Sequence, residues 1–420
     1  MYKMSYSNGS IRTQYLDPVS FVPNGRCAFE LDGDKMAYLS NFRLLDIGCI
    51  GDGADTYNRG LGALACIKSM RLLDGRSELS AIRNPAPYVF FKNANRSNAI
   101  NKSNDSYFKR NGLGLEINSL DNDLEHIYAS GGVTADANTT NLAYLDLKLV
   151  FPILNALQYL PVEIFPNLRI EIEFDANAAN QVLNDITTAI TIQRPVLAVD
   201  HIDNQPLVDQ FVNELNGSGM TWQEVEWDNF HIPSVNTGAY GVTEVATQQT
   251  ANQSLGYKGK IVERLLTCKT VVNKAKELNG NDVLGYGAPA SSQAVCDAKI
   301  QYRLNGKNVL PGFGGATKDN ERLGLVSDEW GSVSCYPGSN IYQWSTQNAN
   351  MNSGADFGGQ MDWDCIRLGA RVADLQINMS RTNNRDTGKA MTNEGLQVNL
   401  YAEVIKQIVF SRGRYDISYA

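Results

Sequence analysis

One tight hairpin in the second half of the chain limits the fold more than any other feature. In residues 299–311 (KIQYRLNGKNVLP), apolar and polar side chains alternate as far as Leu304, which predicts a strand with one buried face. Asn305-Gly306 follows, and both residues tolerate the positive φ of a two-residue hairpin turn. The chain then returns and stops at Pro311. The stretch therefore predicts an antiparallel β-hairpin.

The same plan occurs roughly half the chain earlier. Residues 67–79 (IKSMRLLDGRSEL) carry two apolar and basic arms around Asp74-Gly75, which is the predicted turn. Two like hairpins at this separation indicate one β architecture used twice.

Strand-like alternation recurs along both halves, whereas helical spacing is clear only once. Apolar residues at helical spacing in 206–215 predict a helix, with Asn204 as its cap and Gly217 as its stop, at the joint between the halves. One or two helical turns are also expected in 152–160. Strand-like text begins at Arg26, in CAFELDG and MAYLSNFRLLDIGCI. The strands predicted after the first hairpin are 143–151, 168–174, 190–202, 222–232, 258–272, 366–379 and 396–420, the last of them with a turn at Arg412-Gly413-Arg414.

Many strands with few helices favour an all-β fold, because an α/β sheet needs a helix after each strand. We predict two tandem antiparallel β-sandwiches, with few short helices and long loop insertions. The polar segment 1–24, with two prolines, is predicted as an extended N-terminal arm. Residues 25–203 are the predicted first sandwich and 204–420 the second, with a long insertion around 312–359 that is rich in Gly, Asn and Ser.

Composition excludes several classes of function. A net charge of −8 and the absence of a basic run argue against binding nucleic acid through its phosphates. The seven cysteines are scattered and form no C-x-x-C pair, so buried thiols in a reducing compartment are expected. The first ten residues, MYKMSYSNGS, lack the apolar core of a signal peptide. No apolar run approaches the roughly 18 residues that span a bilayer.

Patterns that carry catalysis or bind metal are not found. None of the three Gly-Lys pairs ends in Ser or Thr, as a phosphate-binding loop requires. The three histidines, His126, His201 and His231, each stand alone in their segments. Residues 121–125 begin like a calcium loop, but His126 replaces the glycine that such a loop needs. We therefore predict no catalytic, cofactor-binding or metal-binding residues and no cofactor.

Two alternative functions stay open. Carboxylates are abundant, and a glycosidase on a sandwich scaffold would need two of them facing each other across a sugar. The alternating acidic residues Glu224, Glu226 and Asp228 are instead predicted to form a solvated strand face.

The second alternative is a tandem β-sandwich protein that binds carbohydrate. Exposed Trp330, Trp344 and Trp363 in loops of the second half would then stack on sugars. Aromatic anchors of contacts between subunits are the favoured interpretation of these three residues.

Six segments, taken in order, resemble the double jelly-roll major capsid proteins of icosahedral DNA viruses. The likeness is strongest to the branch found in virophages and polinton-like viruses, with nucleocytoplasmic large DNA viruses as more distant relatives. No single segment is a specific motif, and the resemblance depends on their order and spacing over both halves. The segments are GALACIKSMRLLDG, LPVEIFPNLRIEIEF, RPVLAVDHID, LGYKGKIVERLL, KIQYRLNGKNVLP and LQVNLYAEVIKQIVFSRGRYDISYA.

The resemblance implies a fold of two tandem antiparallel jelly-roll β-sandwiches, a double jelly roll. It implies a structural major capsid protein that forms homotrimers of pseudo-hexagonal outline and assembles into an icosahedral shell. A tandem jelly-roll carbohydrate-binding, spike or minor capsid protein is the alternative. The implied partners are other copies of this chain, neighbouring capsomers, and penton and minor capsid proteins. Sequence-specific binding to nucleic acid is not expected. Segments 312–359 and 235–254 would form outward towers and contacts between subunits. The arm at 1–24 would lie on the inner side, against minor capsid proteins or an internal membrane where one exists. The implied location is the virion, after synthesis and assembly inside the host cell.

Overall fold

The structure is a computed structural model of the 420-residue chain. It describes residues 11–31, 37–50, 64–89 except 65 and 87, 143–174 except 158, 163 and 166, and 191–232 except 203. In the second half it describes residues 248–271, 296–309, 363–383, 396–411 and 414–420. Everything that follows concerns these residues. The predicted insertion at 312–359 lies outside them.

The described residues form strands joined by a few short helical segments. The strands, in chain order, are β1 (Ile11–Leu16), β2 (Ser20–Phe21), β3 (Arg26–Glu30), β4 (Ala37–Ile47), β5 (Cys49–Ile50), β6 (Ile67–Asp74), β7 (Ser77–Arg83), β8 (Ala143–Asp146), β9 (Tyr159–Pro161), β10 (Leu168–Phe174), β11 (Thr191–Ile192), β12 (Val196–Ile202), β13 (Met220–Ile232), β14 (Gln248–Ser254), β15 (Ile261–Val271), β16 (Cys296–Leu304), β17 (Lys307–Asn308), β18 (Trp363–Arg371), β19 (Leu375–Asn383), β20 (Leu396–Ser411) and β21 (Arg414–Tyr419). The α-helices are α1 (Ile153–Ala156) and α2 (Gln205–Ser218).

The sheet order identifies each half as a jelly roll. In the first half one sheet runs β1-β12-β4-β8 and the other contains β3-β10-β6-β7. These two orders use eight strands of the first half: β1, β3, β4, β6, β7, β8, β10 and β12. Counted from one to eight along the chain, they lie in the order first, eighth, third, sixth in one sheet and second, seventh, fourth, fifth in the other. The second half repeats both orders, as β13-β20-β15-β18 and β14-β19-β16-β17. All these pairings are antiparallel, so the predicted two-sandwich fold is confirmed.

Each sandwich encloses an apolar core between its two sheets. Phe29 and Phe42 from opposite sheets lie in the first core, and Leu265 and Ile377 lie in the second, all with no exposed surface. In the second core the Thr267 and Tyr302 hydroxyls are 2.7 Å apart, which joins the two sheets by a buried hydrogen bond. The alternation seen in the sequence thus places apolar side chains between the layers, where two such faces meet at about 10 Å.

The strand predictions hold with local corrections. Strand β10 has the bounds predicted for 168–174. The predicted strand at 190–202 is two strands, β11 and β12, and 366–379 is divided into β18 and β19. The alternation at 143–151 ends early, because a 3-10 turn at Leu147–Leu149 follows Asp146, whose carboxylate accepts from the Lys148 amide. In that segment the hydrogen bond from the backbone to the Asp146 side chain ends the strand, although the side chains continue to alternate.

Residues 11–16, within the range predicted as an arm, form β1 and pair with β12 over their whole length. Residues 1–10 lie outside the described part. The division into 1–24, 25–203 and 204–420 remains a prediction.

The two predicted hairpin turns differ in their outcome. Asn305-Gly306 is the turn of the second hairpin, with φ of 50° and 82°, and Leu304 pairs with Lys307. In the first hairpin Asp74 pairs with Ser77, so the turn is Gly75-Arg76 and lies one residue later than predicted. The φ of Gly75 is 58°, a conformation that glycine adopts without strain.

Helix α2 joins the two sandwiches, as predicted from its apolar spacing. The Asn204 side chain accepts a hydrogen bond from the Leu207 amide and caps the helix, as predicted. The helix passes through the predicted stop at Gly217 and ends before Gly219, whose φ of 67° is left-handed. Its apolar side packs on the first sandwich, where the Phe211 and Tyr159 rings lie 5.4 Å apart.

Candidate functional site at the junction between the sandwiches

The residues singled out for chemistry do not form a catalytic or metal site in the described part of the chain. His126, residues 121–125, Trp330 and Trp344 lie outside it. Trp363 begins β18, but its side chain is not among those described. Within the described residues, no group of three or more His, Cys, Asp or Glu could hold a metal ion. Of the described helices, none has the length and apolar character of a membrane span.

The most elaborate arrangement of polar side chains lies where the two sandwiches meet. Strand β13 is an edge of its own sheet, and β7 of the first sandwich lies beside it. Residues of β13, β20 and β21 share a continuous apolar cluster with the first sandwich. A rigid connection between the sandwiches is therefore built from buried side chains rather than from the linking helix alone.

Glu224 forms the centre of one side of this junction and is only 2% exposed. Its carboxylate accepts a hydrogen bond of 2.6 Å from Ser80 Oγ in the first sandwich and one of 2.9 Å from Trp222 Nε1. Burial raises the pKa of Glu224 to about 7, and the positive charge of nearby Lys406 opposes that rise. The prediction that the acidic positions of this strand are solvated is wrong for Glu224, because the first sandwich covers it.

A second set of contacts lies on the opposite face of the same sheet. Glu403 pairs in register with Val225, the neighbour of Glu224, so its side chain points the other way. Tyr88 Oη donates to Glu403 Oε1 at 3.2 Å, and Tyr401 Oη donates to the Asn84 carbonyl at 2.7 Å. The Tyr88 and Tyr401 rings lie 5.5 Å apart. The first sandwich therefore holds the β13–β20 edge from both faces.

The hairpin of β20 and β21 extends the junction to the turn of the first hairpin. Tyr415 Oη donates to Asp74 Oδ2 at 2.8 Å. The Phe165 ring lies 5.1 Å from the Tyr415 ring and 6.1 Å from the Phe410 ring. Burial and the Asp74 carboxylate raise the pKa of Tyr415. Aromatic pairs of this kind stabilise by about 0.5–1.5 kcal/mol beyond their buried area.

Two lysines hold the end of β21 in place. Lys260 Nζ donates to both carboxylate oxygens of Glu226 at 2.6 Å and lies 4.1 Å from the centre of the Tyr419 ring. Lys406 Nζ donates to the Leu79 carbonyl at 3.3 Å and lies 5.7 Å from the same ring. A cation over an aromatic face stabilises by about 0.5–2 kcal/mol, with the larger value where water is excluded.

An open cleft of about 470 Å³ lies along the junction. The first sandwich contributes Tyr88, Lys148 and Pro152 to its walls, and the second contributes Trp222 and Glu403. One wall therefore carries an ammonium group and the other a buried carboxylate that already accepts from Tyr88. Among the described residues that line the cleft, Glu403 is the one carboxylate, so they include no pair of carboxylates that would cleave a sugar.

The junction was not predicted from the sequence, although one signal pointed to it. Lys406 interrupts the alternating apolar residues of β20 and is only 8% exposed. A charged residue on the buried side of a strand requires a partner. That signal indicates a buried polar contact, but it does not identify Glu224, Ser80 or Leu79 as members of it.

Comparisons with known proteins support the fold. No protein-family model matches the chain, and no curated protein matches it by sequence. Among solved structures, PBCV-1 VP54, fitted into a reconstruction of the virophage Sputnik, matches with 12% identity, a TM-score of 0.56 and coverage of 100% of this chain and 99% of that one.

Two further capsid proteins match in the same way. For the mavirus major capsid protein the identity is 8% and the TM-score 0.55, over 100% of this chain and 91% of that one. For the Faustovirus major capsid protein the values are 9% and 0.52, over 98% and 92%. At these identities the likeness is one of fold. The chain has the double jelly-roll fold of these capsid proteins, which confirms the resemblance predicted from the six segments.

Proposed function

We propose that this chain is a structural, non-enzymatic protein, the major capsid protein of an icosahedral virus. The observation that carries the proposal is the pair of jelly rolls with identical strand order, joined by a buried junction on both faces of one sheet edge. A rigid pair of like sandwiches presents two similar sides of a polygon. Three copies around a threefold axis then form a tile with six similar sides.

A flat tile of this kind packs in hexagonal arrays and builds the facets of a shell. Its stable contacts between copies should bury more than about 2,000 Å². The fivefold corners require a different penton protein, because a six-sided tile does not fit there. The location that follows is the virion, after assembly in the host cell.

Contacts with minor capsid proteins belong to the same proposal. Residues 1–10 of the predicted arm, residues 235–247 of the predicted tower at 235–254, and the predicted tower at 312–359 lie outside the described residues. Residues 248–254 form β14 and pair with β19, so that part of the predicted tower belongs to the sandwich instead. We assign residues 1–10 to the inner side of the shell, against minor capsid proteins or an internal membrane, and the towers at 235–247 and 312–359 to the outer side.

Light scattering and electron microscopy test the proposal. The purified chain has a mass of 46.2 kDa and should elute, in size-exclusion chromatography with multi-angle light scattering, at three times that mass. Negative-stain images should show particles of hexagonal outline with threefold symmetry. A monodisperse monomer at micromolar concentration would contradict the proposal.

A further inference from the structure

The first strands of the two sandwiches hold the same position in the fold but have different surroundings. Both β1 and β13 are sheet edges, each beside the last long strand of its sandwich. In β13, Trp222 is 4% exposed and Val225 is 2% exposed, because the first sandwich covers them. In β1 every residue except Leu16 is exposed. Among the described residues, one of the two equivalent edges is therefore buried and the other is exposed.

The strand that covers β13 has a counterpart in the second sandwich whose residues are exposed within the described part of the chain. β7 is the fifth long strand of the first sandwich and lies next to β13. The strand at the equivalent place in the sheet order of the second sandwich is β17, and its two residues, Lys307 and Asn308, are exposed. Within the described part of the chain, the first sandwich thus covers an edge, while the second exposes the equivalent surface.

Exposed apolar side chains are concentrated on and near β1. The structure shows six exposed large hydrophobic residues in its described part, and four of them lie between positions 11 and 22. Tyr15 is 67% exposed and Ile11 is 50% exposed, both on β1. Val19 and Val22 follow, at 63% and 58%. Several exposed apolar residues on and next to an edge strand are typical of a surface that another chain covers.

We propose that the β1 edge is the docking surface for the second sandwich of another copy of this chain. The β16–β17 hairpin of that copy lies beside β1 as β7 lies beside β13 within the chain. The contact joins two different surfaces, so each copy offers one of each, and three copies close a ring. The proposal rests on the proposed function and identifies the surfaces through which the trimer forms.

Charge substitutions on β1 test this surface. Replacing Ile11 and Tyr15 together by lysine puts two ammonium groups opposite Lys307 of the next copy, and both native side chains are exposed enough to be replaced without unfolding the chain. By light scattering the variant should fall from the trimer to the monomer mass. The matched control is Val409→Lys, at an apolar residue that is 44% exposed on β20, and it should remain trimeric. A β1 variant that is as trimeric as the control would overturn the proposal.

A charge-swap variant tests which strand covers β1. Lys307→Glu with Asn308→Glu should weaken the trimer on its own. Combined in one chain with the two β1 lysines, it should restore the trimer, because every contact then places glutamates beside lysines. The restoration should fade at 1 M salt, where the screening length is about 3 Å. If the combined variant stays monomeric, β17 is not the strand that covers β1.

Hydrogen exchange gives a measurement that does not depend on a variant. Amides of residues 11–16 should exchange at least about tenfold more slowly in the trimer than in monomer obtained by dilution, since a partner strand protects an edge. Equal exchange rates would overturn the proposal. If the wild-type chain is a monomer at every concentration measured, the proposed function itself fails. A trimer in which residues 11–16 exchange as fast as in the monomer would contradict only the docking surface.

Discussion

The two hairpins that first indicated a repeated architecture are used differently in the molecule. In the first hairpin, β7 has seven residues and faces the second sandwich, with Leu79 and Ser80 fully buried. In the second, β17 has two residues, both exposed. The sheet order around both hairpins is the same. The same fold can therefore place one hairpin inside a junction and leave the other on the surface. The two sandwiches share their sheet order, whereas the burial of each hairpin depends on what packs against it.

The hydrogen bonds at the two hairpin turns differ in the same way. Asp74 accepts from the Asn167 amide within its own sandwich and from the Tyr415 hydroxyl of the other. Asn305 accepts from the amides of Ala373 and Asp374, both within its own sandwich. The first turn is therefore a link between sandwiches, and the second is a link between loops of one sandwich.

The largest expected effect is on the packing of the first hairpin. Leu79→Ala removes a side chain with no exposed surface and should lower the free energy of unfolding by about 2–5 kcal/mol. Asn308→Ala, on the exposed strand of the second hairpin, should change it by less than about 0.5 kcal/mol in the monomeric β1 variant. Denaturant unfolding followed by tryptophan fluorescence measures both. Equal losses would mean that the two hairpins are not differently packed.

The next effect concerns the pH dependence of the junction. The pKa of Glu224 is raised to about 7 by burial, so the folded chain holds a proton at pH values where the unfolded chain has released it. The contribution of Glu224 to the free energy of unfolding is therefore complete below about pH 4.5. It declines by up to roughly 3 kcal/mol as the pH rises to about 7 and beyond. Glu224→Gln, which mimics the protonated form, should lose less stability than wild type between pH 5 and 8 in urea titrations. A parallel loss in both proteins would contradict this role of Glu224.

A smaller effect separates the two turns. Asp74→Ala removes the acceptor of Tyr415 and should cost about 1–3 kcal/mol, with faster hydrogen exchange in residues 414–419 of β21. Asn305→Ala should cost a similar amount but speed exchange near residues 371–374 only. Mass spectrometry of proteolytic peptides distinguishes the two regions. Faster exchange of β21 in the Asn305 variant would show that the second turn also reaches beyond its sandwich.

The smallest expected effect is at a surface ion pair away from both turns. Lys68 Nζ and Glu173 Oε1 are 2.8 Å apart, and their side chains are 58% and 42% exposed. The hydrogen bond from Lys68 is the main cause that lowers the pKa of Glu173. Lys68→Ala should nevertheless change the melting temperature by no more than a degree or two, since exposed pairs contribute about 0–1 kcal/mol. A larger loss would mean that this edge of the first sandwich is more constrained than its exposure indicates.

Local pattern was enough to predict most strands and the linking helix. Alternation located β10 and β13, and helical spacing with Asn204 as cap located the start of α2. The boundaries were less accurate where side chains act on the backbone. The Asp146 cap ended a strand early, and the first turn lies one residue beyond the Asp74-Gly75 prediction because Asp74 remains in the strand pair with Ser77.

The sequence by itself determined that the chain is built of antiparallel strands in two like halves, since side-chain alternation and positive-φ turns act over a few residues. Only the tertiary structure decided which of two equivalent edges is covered, and that Glu224, Ser80 and Tyr88 belong to one junction. Ser80 and Glu224 are 144 positions apart, and Tyr88 and Glu403 are 315 apart. The burial of a charge and the identity of its partner depend on such long-range packing, which no short window of residues contains.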